Sequence, residues 1–356
     1  MRKTYIDNIR WITVLLVVLY HVIFMYNGVE TSLVIGPFSP VQYQDAFLYL
    51  VYPWFMLLLF VVAGMSSRYY LAGHTDREYV RSRTVKLLVP STIGLFVFQW
   101  VQGYYSMAIT GGLESMAQAP FIVRYLVMAL SGQGVLWFLQ LLWLFSMLLV
   151  LIRKIEKDRL YGKCGRAGIV AVLLLTLPVY LSAQVLNTPM IVVFRFGFYG
   201  LGFLIGYFLF SQDEVMDRLE KYWLPLTVAA LGLAIAFTVV FWGKNYAQHE
   251  VLDTPLCNLF AWIAVIAVLS FMKKWGNFEN RFSKWMTAKS WGLYVFHYTV
   301  LSMVAYYLNR FVPDMPAVLC YGLSCVGAFA GAYLLYEIIR RIPVVNWCVL
   351  GVSRRK

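Results

Sequence analysis

Long apolar runs recur along the chain, separated by short polar loops. Their spacing predicts spans at 6–26, 46–65, 87–107, 134–151, 167–186, 190–210, 223–242, 255–272, 291–308 and 316–338. Each is close to the ~20 residues a helix needs to cross a bilayer. One more apolar run, 121–130, is too short to span comfortably and reads as a re-entrant or interfacial helix. The pattern predicts an all-α polytopic membrane protein of about ten transmembrane helices.

Composition agrees. Of 356 residues, 61% are hydrophobic and 13% charged, with a mean hydropathy of +0.69; soluble domains carry about 25% charged residues. No polar stretch is long enough to build a soluble domain. One membrane-embedded domain is therefore expected over 1–356, with its core at about 4–345. The first apolar run is too long for the core of a cleavable signal and lacks a small-residue cleavage site. A net charge of +13 would suit nucleic acid, but the distribution of the charge argues against that partner. Of 30 Lys and Arg residues, all but Arg124, Arg195, Lys244 and Arg310 fall at the N-terminus, in alternate loops or at the C-terminus. By the positive-inside rule both termini are cytoplasmic, which requires an even number of crossings in the inner (cytoplasmic) membrane. The five cysteines form neither a CxxC nor a metal-ligand spacing, and they read as packing residues.

The first span, DNIRWITVLLVVLYHVIFMY, carries Asp7 and Arg10 at one end and His21 deep inside. Eleven residues separate Arg10 from His21, so the two differ by only about 20° around a helix and by about 16 Å along it. Ionisable groups inside a span are costly and point to function by default. The competing reading is a snorkelling arginine with a histidine satisfied by a neighbouring helix. His297 lies about 12 Å into the ninth span from Lys289, at a depth comparable to that of His21. For it too, a structural imidazole is the alternative to a functional one. Arg195, near the outer end of the sixth span, either snorkels to headgroups or binds an anionic group in a polar cavity. Trp137 and Gln140, with Gln133, sit in the outer half of the fourth span. They either anchor the helix at the interface or line a sugar-binding mouth. No Asp or Glu lies inside any span, since Asp7 and Glu337 are at cytoplasmic ends. Proton-coupled transporters usually need such a carboxylate, so the imidazoles are the available near-neutral bases.

Several stretches in fixed order carry a resemblance. Arg10 and His21 form an Arg-x10-His pair. FVVAGMSSRYYL, YVRSRTVKLLVP, VLWFLQLLW, WGLYVFHYTVL and YEIIRRIP follow in turn. Together they resemble the membrane-bound acyltransferase-3 family over about residues 4–345, although Ala63 stands where Ser is common before Gly64. The resemblance implies an acyl-CoA-dependent O-acyltransferase, similar to members that place acetyl or succinyl groups on periplasmic glucans. The acceptor would be a hydroxyl of an extracytoplasmic glycan or similar molecule. His21 would be the general base and Arg10, oriented by Asp7, would hold the donor; His297 completes the expected catalytic set. An acyl-histidine relay stays open. Arg81, Arg83 and Lys86 suit the phosphates of coenzyme A, or else simply flank the membrane; Arg195, Trp137 and Gln140 are the acceptor-side candidates. Acyl-CoA enters as a substrate; no permanently bound cofactor or metal is expected. The rivals are a transporter or flippase of a polar or lipid-linked substrate, and a non-catalytic membrane partner.

Overall fold

The computed structural model describes residues 3–30, 32–188 and 191–352. Among these every regular element is helical, and the β-type pairing is one isolated bridge between Asn187 and Arg195. Arg2, Arg354, Arg355 and Lys356, all included in the loop-charge count, lie outside the described residues, as do Pro189 and Met190 at the expected start of the sixth span.

The principal helices are α1 (Thr4–Phe24), α2 (Tyr43–Leu71), α3 (Asp76–Ile109), α4 (Phe121–Ser131), α5 (Gly134–Glu156), α6 (Ile169–Ser182), α7 (Phe196–Phe210), α8 (Trp223–Phe241), α9 (Pro255–Trp275), α10 (Arg281–Phe311), α11 (Ala317–Ile339) and α12 (Pro343–Leu350). Seven of these, α1, α2, α3, α5, α8, α9 and α11, are long and apolar enough to cross a membrane. The other three expected spans fall on α6 and α7, which are shorter, and on α10, whose first turns are polar. The protein is an all-α multi-pass membrane protein. Its lipid-facing surface is plain on α8, where exposed Leu224, Val228, Leu231, Ile235 and Val239 recur every three or four residues along one stripe. With backbone groups bonded inside the helix, such a stripe can face hydrocarbon.

Two helix starts differ from the sequence pattern. α3 begins at Asp76, so the basic run around Arg83 is helical, not loop. The helix opens with Thr75, whose hydroxyl and backbone N–H both meet the Glu78 carboxylate, a reciprocal cap that hydropathy does not register. α7 begins at Phe196, because the Phe196 N–H bonds Leu186 O (3.2 Å) and the Arg195 N–H bonds Val193 O (3.0 Å). Residues 186 and 187 are therefore paired with 195 and 196 where the chain winds into helix.

The chain divides into two compact units. The first comprises 1–13, 48–80 and 144–287. Its core is tightened where α2 meets α7. A Cβ on Gly64 would stand 1.9 Å from Phe203 O, and one on Gly206 would stand 2.0 Å from Val61 O. Only glycine permits this backbone approach, and small residues at helix crossings are the usual device in membranes. α9 adds Trp262, fully buried, whose indole donates to Val172 O on α6 at 2.9 Å. Asn8 on α1 donates to Gly276 O and Phe278 O at the end of α9.

The second unit comprises 14–47, 81–143 and 288–356. Here α3 is interrupted by two π-helical turns, Thr84–Leu88 and Leu95–Gln99. α4 lies against it through a reciprocal glycine contact: a Cβ on Gly103 would be 1.7 Å from Met128 O, and one on Gly132 would be 1.9 Å from Gln99 O. α12 doubles back over the start of α3. Gly94 leaves room for Cys348 O, and Gly351 (φ +63°) packs on Val85 and Lys86. Trp291 on α10 donates to Leu350 O at 3.1 Å, fixing α12 from its other side. Tyr26 at the end of α1 shares a 2.7 Å hydrogen bond with Ser324 on α11.

Candidate active site

In the second unit α1 and α10 bring two imidazoles together. His297 Nε2 lies 3.3 Å from His21 Nδ1, and the ring centroids are 5.0 Å apart. His297 is fully buried, and its Nδ1 faces Tyr294 O (2.9 Å) and Leu293 O (3.1 Å). Carbonyls only accept, so Nδ1 of His297 carries the proton and its Nε2 carries the lone pair. His21 Nδ1 must then be the donor, shared between His297 Nε2 and Val17 O at 2.7 Å. The network thus leaves His21 Nε2 with a lone pair. A half-buried imidazole held by one nitrogen, with the other basic, is set up to take a proton.

The pair adjoins a polar seam between α10 and α3. The Tyr298 ring lies 4.9 Å from that of His21, tilted to it by 58°. It also lines a narrow crevice with Gln99, Gln102, Gln133, Gly134 and Thr299. Thr299 donates to Gln99 Oε1 at 3.2 Å, and Gln102 Nε2 reaches Ser106 (2.9 Å) and Ser302 (3.1 Å). Gln102 Oε1 is buried with no hydrogen-bond partner, an unsatisfied acceptor sealed inside the seam. The π turn at Leu95–Gln99 and the Gly103–Met128 contact set this register; π turns are frequent at functional sites. Sequence reading missed the seam. Its signals were the two amides three residues apart in the third span and the hydroxyls just after His297.

In the first unit Arg10 bonds Asp7 at 2.9 Å, one turn back on α1, and also the hydroxyl of Ser66 on α2. Ser66 in turn donates to Val62 O at 2.6 Å. The hydroxyl beside the arginine is thus supplied three residues after Ala63. Gly64, next to it, serves the backbone contact with Phe203.

The remaining candidates have varied surroundings. Arg195 is buried, at 2% exposure. It donates to Leu252 O (3.2 Å), stands 3.7 Å from Asp253 and has its guanidinium 4.2 Å from the Phe198 ring centroid, all within the first unit. Its surroundings are intramolecular, and His249 joins them by bonding Asp253 (3.1 Å) and Thr188 O (3.1 Å). Gln140 donates to Ser91 O (3.0 Å) and accepts from Gln133 (2.9 Å). Trp137 opens the regular part of α5, edge-on to Phe138. Arg81 and Lys86 are exposed and Arg83 half-buried at the polar start of α3.

A helical membrane protein with paired imidazoles and, among the described residues, no carboxylate bonded to them has the make-up of an intramembrane enzyme. The family profile described as an acyltransferase domain, acyltransferase family 3, matches residues 3–337. The chain belongs to that family and is a membrane acyltransferase. No curated relative and no solved structure matches it.

Proposed function

We propose that the protein transfers an acyl group, acetyl or succinyl, from acyl-CoA to a hydroxyl of an extracytoplasmic glycan or similar acceptor. The observation that carries this reading is the His21–His297 hydrogen bond, which leaves His21 Nε2 basic. His21 takes the acceptor's hydroxyl proton as the oxygen attacks the thioester carbonyl. The tetrahedral intermediate collapses by breaking the C–S bond, and the departing thiolate takes the proton back from the imidazolium. An ester and free coenzyme A result, with no net change on the enzyme. While His21 is protonated, Val17 O and His297 Nε2 hold its Nδ1–H and keep the ring oriented, the role a third group plays in nucleophile–base constellations.

Tyr298, whose ring lies 4.9 Å from that of His21, is assigned to orient the acceptor hydroxyl. Arg10 and the cluster Arg81, Arg83 and Lys86 are assigned to the anionic donor, as forks and point charges suited to phosphates. By loop charge the donor side is cytoplasmic and the enzyme resides in the inner membrane.

The test is release of coenzyme A thiol by the purified protein in lipid nanodiscs, with and without a hydroxyl-rich acceptor. Acceptor-dependent release that disappears in His21→Ala supports the proposal. Movement of a substrate across the bilayer without thioester consumption would replace it with a transporter.

A further inference from the structure

α8 and α11 are the least enclosed of the long apolar helices. On α11, Leu319, Leu323, Val326, Ala330, Leu334 and Ile338 are all exposed, at steps of three or four residues. The stripe rises about 28 Å along the helix, close to the ~30 Å of a hydrocarbon core. Such a stripe suits lipid chains, and it runs out at Arg340 and Arg341. By loop charge that end is cytoplasmic.

Just past the stripe is a cavity of about 440 Å³, open to the surface and lined by Tyr336, Arg340, Arg341, Asn346, Leu350 and Val352. All six belong to the second unit. The volume is within the range of pockets that hold small organic groups. One wall is basic. Arg340, Arg341 and Lys289 face the Glu337 carboxylate at 2.7, 4.0 and 2.5 Å, and three cations against one carboxylate leave two positive charges. Tyr336 is held between two of them, its ring centroid 5.2 Å from Lys289 Nζ and 5.8 Å from the Arg340 guanidinium carbon. The opposite wall, Leu350 and Val352, is apolar, and Ile342, Val344 and Trp347 of the same segment are exposed. Exposed tryptophan next to basic residues marks headgroup depth.

We infer that this cavity seats the headgroup of an anionic phospholipid. Its phosphodiester lies against Arg340 and Arg341, and its acyl chains run back along Ile338 and Leu334. Neither feature alone would require this. Arginines at a helix end can snorkel to any headgroup, and any lipid can cover an apolar stripe. A basic cavity at the end of the stripe does select. Two uncompensated cations favour a net-negative headgroup, whereas a zwitterionic one brings its own cation beside them. The lipid ties α11 to α12, whose Cys348 and Gly351 pack on α3, so its loss loosens that side of the unit. Acyl transfer plays no part in this binding, and the two fail or hold independently.

The full-length protein is delipidated in neutral detergent and titrated with phosphatidylglycerol or phosphatidylcholine at constant salt, with bound lipid counted by native mass spectrometry. Phosphatidylglycerol should bind at least about tenfold more tightly than phosphatidylcholine, and it should raise the Tm. Arg340→Ala with Arg341→Ala should weaken its binding at least about tenfold, since each interfacial cation is worth roughly fivefold toward anionic lipid. Arg159→Ala with Lys163→Ala removes the same charge from an exposed segment of the first unit and should leave binding unchanged. Val352→Trp, at an exposed position, keeps every charge but fills the cavity, and it should also weaken binding. Equal affinity for the two lipids, equal loss in the two double variants, or full binding by Val352→Trp overturns the inference, because the arginines then act only through the local surface potential. Displacement of the lipid by inorganic phosphate or by coenzyme A at constant ionic strength also overturns it, and assigns the cavity to a soluble phosphate ligand.

Discussion

His297 Nε2 accepts a hydrogen bond from His21 Nδ1 across 3.3 Å, so one imidazole fixes which nitrogen of the other is basic. The two residues lie 276 positions apart in the chain and meet inside a single compact unit.

The first expectation follows from that bond. General-base catalysis is typically worth about 10²- to 10⁴-fold, so His21→Ala should lower the rate of acyl transfer at least about a hundredfold with insertion intact. His297→Ala should have the smaller effect, and His297→Gln should recover part of it, because a side-chain amide oxygen can still accept from His21. Initial rates with purified variants check this. Near-wild-type turnover in His21→Ala would end the assignment of the base.

Donor binding and chemistry should separate kinetically. Arg10→Ala is expected to impair transfer, with part of the loss recovered at high donor concentration. Arg83→Ala is expected to raise the donor KM with a smaller change in kcat, which marks lost uniform binding. Ser66→Ala, which leaves the Arg10–Asp7 pair in place, should be the mildest of the three. If Arg83→Ala leaves donor affinity unchanged, the basic run is a topological signal alone.

Topology can be read chemically. All five native cysteines are free thiols, so they would be replaced before single cysteines are introduced. A cysteine placed within 28–45 should react with an impermeant maleimide from outside, and one within 75–82 only after permeabilisation. The opposite labelling would invert the orientation and every depth assigned from it.

The glycine contacts predict stability. Gly64→Ala and Gly103→Ala place a Cβ within 2 Å of a backbone oxygen on the neighbouring helix. Overpacking of this kind costs about 1–3 kcal/mol, sometimes more. Both variants should show a lowered Tm in detergent, whereas Gly232→Ala, with nothing within 4 Å of its added Cβ, should not. An unchanged Tm for Gly64→Ala would mean that α2 and α7 can separate freely.

Much of the fold was legible, because the bilayer demands long apolar runs and basic loops whatever the packing. The depths of His21 and His297 followed from helix rise. Their contact did not: depth says nothing about which helices are neighbours or which way a side chain turns. Gln99 and Gln102 were passed over because an amide adds little to a hydropathy window dominated by aromatic and aliphatic residues. Depth alone makes Arg195 a candidate, while its nearness to Asp253 and Leu252 O depends on a contact between segments some 57 residues apart. Hydropathy misplaces the start of α7 because 191–194, Ile-Val-Val-Phe, are as apolar as the helix that follows. Ala63 seemed to remove a hydroxyl that Ser66 supplies one turn later, an equivalence visible only once Arg10 is seen to reach it.

The return of α12 onto the start of α3 bears on how the protein is made. α3 leaves the ribosome early, yet the surface around Gly94 and Val85 waits for residues 343–351, synthesised some 250 positions later. Until then that surface must be shielded by lipid, an insertase or a chaperone. Completion of the second unit is thus post-insertional, and a nonsense mutation just before Pro343 would leave every expected span translated but this helix pair unsealed.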